Sequence, residues 1–318
     1  MRCIIPLLAA ILLTAPAGLL TSVSKAADPK PAFSPITIPL TVIEGDLFNR
    51  DCRVFTIPVE CSGVKTHFTW ACGGETIVSE TFAKQTRLAI KDDPELTPFI
   101  DAAGKPLFLG SSLAEISVGG RSAATKVWVM RDGETNKQPT GIVGYQLARQ
   151  FQWEIDPRIP QLTLRPPKTP LAKKPLATIP LKDENQNLWM NIKIRNVAVD
   201  VCLIPQSTDL QAAPNLQKRW DLEHSGLKVE TNSYLGNVRT VQLTGKSGVF
   251  LSPDVFETDV FAILLENNPN ASSGIGQSIL NRFIYCVDPE LKQFNILDKV
   301  TLKEVRATTQ PSKTHQPK

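Results

Sequence analysis

Histidine is scarce in this chain, with three in 318 residues, and they stand far apart at His67, His224 and His315. There is no Cys-x-x-Cys pair and no Cys/His cluster at metal-ligand spacing, so no zinc site is expected. Neither a Gly-x-Ser-x-Gly elbow, a phosphate-binding Walker loop nor a dinucleotide fingerprint occurs. Gly73-Gly74 and Gly119-Gly120 therefore read as turn glycines, and no cofactor is expected. The formal charge is only +4. Without clustered Lys and Arg beside groove-reading elements, a nucleic-acid partner is not expected either. Cysteine is too sparse for a disulfide scaffold, with six in the whole chain. If Cys3 leaves with a leader, Cys52, Cys61, Cys72, Cys202 and Cys286 remain, and an odd count leaves at least one thiol free or paired between chains. Cys52 and Cys61 are close enough in sequence to bridge a hairpin, a matter only geometry decides.

What is present is ordinary for a soluble globular protein, with 42% hydrophobic and 21% charged residues. The length accommodates two domains, each with its own core. Residues 1–26 read as a secretory signal: Arg2, an apolar run from Ile4 to Leu20 broken by Pro6, Pro16 and Gly18, and a small-residue ending at Ser24-Lys25-Ala26. The two prolines argue against an uncleaved anchor. The expectation is a secreted or periplasmic chain beginning near Ala27, with no stable membrane span once the signal is removed. Residues 303–318 are polar and proline-containing and read as a disordered tail.

One stretch occurs twice. GIVGYQLARQFQWEIDPRIPQLTL, from Gly141 to Leu164, aligns without a gap to SGIGQSILNRFIYCVDPELKQFNI, from Ser273 to Ile296. The constant shift pairs Gly144 with Gly276, Phe151 with Phe283, Trp153 with Tyr285 and Asp156-Pro157 with Asp288-Pro289. A tight glycine, a short apolar helix, a strand, an Asp-Pro turn and a second strand account for the pattern. A single duplication at this distance predicts two similar lobes rather than a solenoid. Upstream of the first copy, Ile36–Ile43, Val54–Val59 and Val64–Ala71 read as strands, with a short helix over Phe82–Leu88 and a hairpin from Ile116–Gly120 to Ala124–Met130. Residues 92–104 read as a flap or surface excursion. Residues 166–180 form a Pro/Lys-rich linker, an extended polar spacer. Beyond it, strands are predicted at Leu188–Ile194, Val197–Leu203 and Asp259–Leu265, a helix at Leu210–Trp220, and a hairpin over Val229–Leu243. Trp70 and Trp153 read as core aromatics.

The repeat resembles the closing segment of a retropepsin-like lobe, the half-molecule of aspartic proteases. The resemblance implies an all-β protein of two tandem retropepsin-like acid-protease lobes, closed or partly open β-barrels with short helices, over residues 36–165 and 181–302. It also implies an Asp-Thr-Gly loop in each lobe. In the first, Ala71-Cys72-Gly73-Gly74 follows the strand, so Ala71 stands at the catalytic aspartate; no Asp occurs between Asp51 and Asp92. In the second, the constant shift lands on Leu203, followed by Ile204, Pro205 and Gln206. Aspartic proteolysis requires two carboxylates sharing a proton, and neither position supplies one.

The expected function is therefore that of an exported, catalytically inactive aspartic-protease-like protein that holds an extended peptide or protein ligand in an inter-lobe cleft. One alternative is an active peptidase with a displaced dyad built on Asp200 or Asp209; another is a purely structural pair of β lobes. A thiol enzyme based on Cys72 lacks a base: His67 lies five residues earlier on the same strand and points to its opposite face. If the lobes pack about a two-fold, Cys72 and Cys202 come near each other.

Overall fold

A computed structural model describes residues 33–44, 53–97, 99–100, 104–132, 140–194, 197–205, 210–212, 228–232, 236–243, 249–250, 260–264, 273–301 and 304. The first half of the chain contains β1 (Ile36–Pro39), β2 (Thr41–Glu44), β3 (Arg53–Cys61), β4 (Val64–Trp70), β5 (Thr76–Ser79), α1 (Glu80–Gln85), a 3-10 turn (Pro94–Leu96), β6 (Phe108–Val118), β7 (Arg121–Met130), β8 (Gly141–Val143), α2 (Tyr145–Ala148), β9 (Gln152–Asp156) and β10 (Gln161–Arg165). The second contains β11 (Ala177–Glu184), β12 (Asn187–Ile194), β13 (Val197–Leu203), β14 (Leu210–Ala212), β15 (Lys228–Asn232), β16 (Gly236–Leu243), β17 (Val249–Phe250), β18 (Val260–Leu264), β19 (Gly274–Ile275), α3 (Gln277–Leu280), β20 (Phe283–Asp288) and β21 (Gln293–Lys299). The protein is all-β. The expected signal and tail lie outside the described residues but for Glu304, and among the described residues no helix is long and apolar enough to cross a membrane.

In the first half, β3-β4-β8-β5-β7-β6 closes into a six-stranded barrel through the β3–β6 pairing. Closure removes the open edges that a sheet otherwise presents. Alternation along β6, with every second residue buried, places Ala114, Ile116 and Val118 inside. Strand β2 flanks the barrel on β3, and the other strands join one large sheet in which the run β1-β10-β9-β20-β21-β11, from the β1 edge inward, is antiparallel throughout.

The two halves meet where the sequence repeat predicts symmetry. Strand β9 pairs with β20 in the register Trp153↔Val287, Glu154↔Cys286 and Ile155↔Tyr285. The repeat shift turns Trp153 into Tyr285 and Ile155 into Val287, so this ladder maps onto itself, as strands related by a two-fold must. Trp70, Trp153, Tyr285 and Phe294 form a buried aromatic column across the joint, with successive centroids 5.7, 5.9 and 5.2 Å apart. Such pairs contribute about 0.5–1.5 kcal/mol each beyond their buried area. The roles read for Trp70 and Trp153 are those observed. Every residue of β20 is buried, the pattern of a strand covered on both faces.

Several predicted elements differ. The strand read over Ile36–Ile43 is two strands that part at Leu40: β1 joins β10, and β2 joins β3. Proline has no N–H for a ladder, and Pro39 marks the point of transfer. Leu210–Ala212, read as the start of a helix, is strand β14, paired parallel to β18. The linker is shorter than expected and is not a free spacer. Ala177–Pro180 already pairs with β21, and residues 168–176 are tied to the sheet. Lys168 N donates to Asp288 Oδ2 at 2.7 Å, Gln152 Nε2 donates to Thr169 O at 2.7 Å, and Leu176 N donates to Ile296 O at 2.7 Å.

Candidate functional site

The loop after β4 is held by the short strand and helix that open the first repeat. Strand β8 lies parallel to β4 (Thr69↔Ile142, Trp70↔Val143) and antiparallel to β5, which is itself parallel to β7. Ala71 N donates to Val143 O at 3.2 Å, Tyr145 N to Gly74 O at 2.8 Å, and Gly144 N to Thr76 Oγ1 at 3.1 Å. Gly74 adopts φ +68°, a conformation glycine takes without strain. At Gly73 a Cβ would meet Asn187 Oδ1 at 2.5 Å, so glycine there permits close approach of the other half.

The same sequence of pairings recurs in the second half. Strand β19 is parallel to β13 (Cys202↔Gly274, Leu203↔Ile275) and antiparallel to β14, which is parallel to β18. Ile204 N donates to Ile275 O at 3.0 Å. Because Ile275 corresponds to Val143 under the repeat, the hydrogen-bond counterpart of Ala71 is Ile204, one residue beyond the Leu203 that a constant shift reaches. Pro205 O accepts from Gln277 Nε2 at 2.6 Å; Gln206 and Asp209 lie outside the described residues.

Ala71 is sealed. It is fully buried in an apolar cluster with Ile77, Leu96, Leu107, Phe108, Trp128 and Ile142, against which Phe99 and Met130 pack. Phe99, Phe108 and Trp128 form a ring triad with centroids 5.2–5.7 Å apart. The segment read as a flap or excursion is thus in part an anchor: Leu107 N donates to Phe99 O at 2.8 Å, and the bridge between Lys91 and Ser111 lashes its start to β6. Leu203 and Cys72 are also fully buried.

Contacts across the two halves close the other side. Cys72 Sγ donates to Leu203 O at 3.4 Å. The β11–β12 turn, with Asn185 and Gln186 in the left-handed region, sits on the first-half loop. Gly74 N donates to Gln186 O at 2.8 Å, and Gln186 Nε2 to Glu75 Oε1 at 2.7 Å. The Tyr145 hydroxyl donates to Asp183 Oδ2; burial first, then this bond, pushes the phenol well above its usual range. The turn contacts were not legible as a site. The sequence does carry one signal for them, since Thr37-Ile38-Pro39-Leu40 recurs as Thr178-Ile179-Pro180-Leu181 and marks the strand that leads into the turn.

Asp200 side-chain exposure is 49%; it accepts from Asn191 Nδ2 at 2.8 Å and pairs with Lys182 at 3.3 Å. The Asn191 bond leads the effects that hold its carboxyl below the ordinary value. On β13 it points out while Val199 and Val201 point in. Burial raises the Cys72 thiol well above its ordinary value, with the neighbouring Cys202 adding to the shift, the reverse of what a nucleophile needs. His67 is exposed. Cys61 is a free buried thiol, and Cys52 lies outside the described residues. Among the described residues no group of three or more His, Cys, Asp or Glu could hold a metal ion. A cavity of 340 Å³ lies under the linker, lined by residues including Gln152, Lys174, Thr178 and Asn295, with none from either loop. No protein-family model matches the chain, and no curated protein matches it at the similarity searched.

Proposed function

We propose that this chain is a catalytically inactive protein of two tandem retropepsin-like lobes, exported by its N-terminal segment, that binds an extended peptide or protein segment without cleaving it. The observation that carries the reading is the sealing of Ala71 among Phe99, Phe108 and Trp128. Hydrolysis by this architecture needs a water held between two carboxylates. Ala71 and Ile204 provide no carboxylate, and Ala71 provides no solvent either. The two-lobe reading is supported by the recurrence of the parallel, antiparallel, parallel pairing in both halves and by the self-mapping β9–β20 ladder.

Binding is supported by an open edge. Strand β15 ends the large sheet, and among the described residues its outer side pairs with nothing. Such an edge offers a row of backbone N–H and C=O groups to an added strand. The same sealed joint favours a second reading, a purely structural pair of lobes. Incubating purified residues 27–318 with a complex peptide mixture, recovering retained peptides and following amide exchange at 228–232 separates the two. Retained intact peptides that slow exchange on β15 support binding. No retention, with unchanged exchange, overturns binding and leaves the structural reading.

A further inference from the structure

Two thiols on opposite sides of the joint converge on one oxygen. Cys72 Sγ, from the first-half loop, lies 3.4 Å from Leu203 O, and Cys202 Sγ, from β13, lies 3.8 Å from the same atom. Cys202 Sγ is also 3.6 Å from Asn187 Oδ1. The backbones come close as well, since a Cβ at Gly73, next to Cys72, would lie 3.8 Å from that carbonyl. Cys72 and Cys202 sit far apart in sequence, whereas Cys61 ends β3 and Cys286 lies opposite Glu154 in β20.

We infer that Cys72 and Cys202 form a thiol pair that a small disulfide oxidant closes into a covalent tie between the two halves. In the first step the Cys202 thiolate attacks one sulfur of the oxidant, forming a mixed disulfide and releasing one thiolate. In the second, the Cys72 thiolate attacks the Cys202 sulfur and releases the other. The two protein S–H protons end on the two released thiols, so the oxidant gains the two electrons that the pair loses. Bond formation requires Cys72 to turn from Leu203 O until the sulfurs are about 2.05 Å apart. Both residues are buried, so exchange runs through transient opening of the joint and accelerates in sub-denaturing urea.

The test treats the folded chain with 2-hydroxyethyl disulfide, alkylates the remaining thiols and maps the peptides by mass spectrometry. The expected product links the Cys72 and Cys202 peptides, is reversed by dithiothreitol, and raises Tm by about 10 °C, as closure of a loop longer than 100 residues implies. Cys72→Ser, whose hydroxyl can still donate to Leu203 O, is expected to fold, lose the bridge and show no Tm shift with oxidant. Recovery of both residues as free thiols, or as separate mixed disulfides, overturns the inference. So does a bridge that appears only in fully unfolded protein.

Discussion

Placing an aspartate at the sealed position, by Ala71→Asp, is expected to unfold the joint rather than create a peptidase. The Ala71 methyl group has no solvent contact and lies among Leu96, Leu107, Phe108 and Trp128. Full burial raises a carboxyl pKa by up to about 3–5 units, and each unit is worth about 1.4 kcal/mol. The electrostatic loss at pH 7 is then about 4 kcal/mol, because it accumulates only over the roughly three pH units above the unfolded-state value, added to a crowding cost of about 1–3 kcal/mol for the extra atoms. A folded-state pKa above the unfolded value makes the penalty grow as pH rises. Below about pH 3.9, the unfolded-state value, the carboxyl is protonated in both states and only crowding and the neutral group's burial remain. Between that pH and the raised folded-state pKa, the penalty grows by about 1.4 kcal/mol per pH unit and then levels. Urea melts from pH 4 to pH 8 measure it, with Ala71→Asn as an uncharged control whose deficit stays flat. A variant within about 1 kcal/mol of wild type at pH 7, or one whose deficit does not change with pH, refutes the sealed-joint reasoning.

Three further outcomes are expected. Asp288 is fully buried and accepts from Gln152 Nε2, Lys168 N, Glu290 N and Leu291 N at 2.7–3.1 Å. Asp288→Ala leaves those donors unpaired and should lower unfolding free energy by about 3–5 kcal/mol in urea melts. Tyr145→Phe removes the hydroxyl that reaches Asp183 across the joint; a loss of about 1–2 kcal/mol is expected by the same measurement. Burial pushes the Cys286 thiol up to about 12, so it should not react with an aromatic disulfide reagent within minutes at pH 8 while folded, and should after denaturation.

The gap-free repeat made much of the fold legible. Helix α2 with β9 and β10, and α3 with β20 and β21, fall where Gly144 and Gly276 and the two Asp-Pro turns place them. Alternation and flanking turns also marked β12, β13, β18 and the β15–β16 hairpin. The split at Leu40 was hidden because a strand that changes partner sheet keeps its apolar alternation. Leu210–Ala212 was misread because three residues hold too little of any period to tell strand from helix. The linker's attachments rest on backbone groups of Lys168 and Leu176, which composition does not report. At the site, the absence of a carboxylate at Ala71 and at Leu203 was plain from the sequence. The shift to Ile204 was not, because a constant offset ignores a one-residue difference between halves that only the ladder reveals. Nor was the seal, since Phe99, Phe108 and Trp128 are scattered along the chain and meet only once β6 pairs with β7 and the Phe99 segment bonds back to Leu107.

The most direct test of the central claim is cleavage of a complex peptide mixture by purified residues 27–318, from acid to neutral pH, read by mass spectrometry with and without pepstatin. The account predicts no new peptide termini at any pH. Pepstatin-sensitive cleavage would contradict it, and would require two carboxylates to meet where Ala71 and Ile204 now stand.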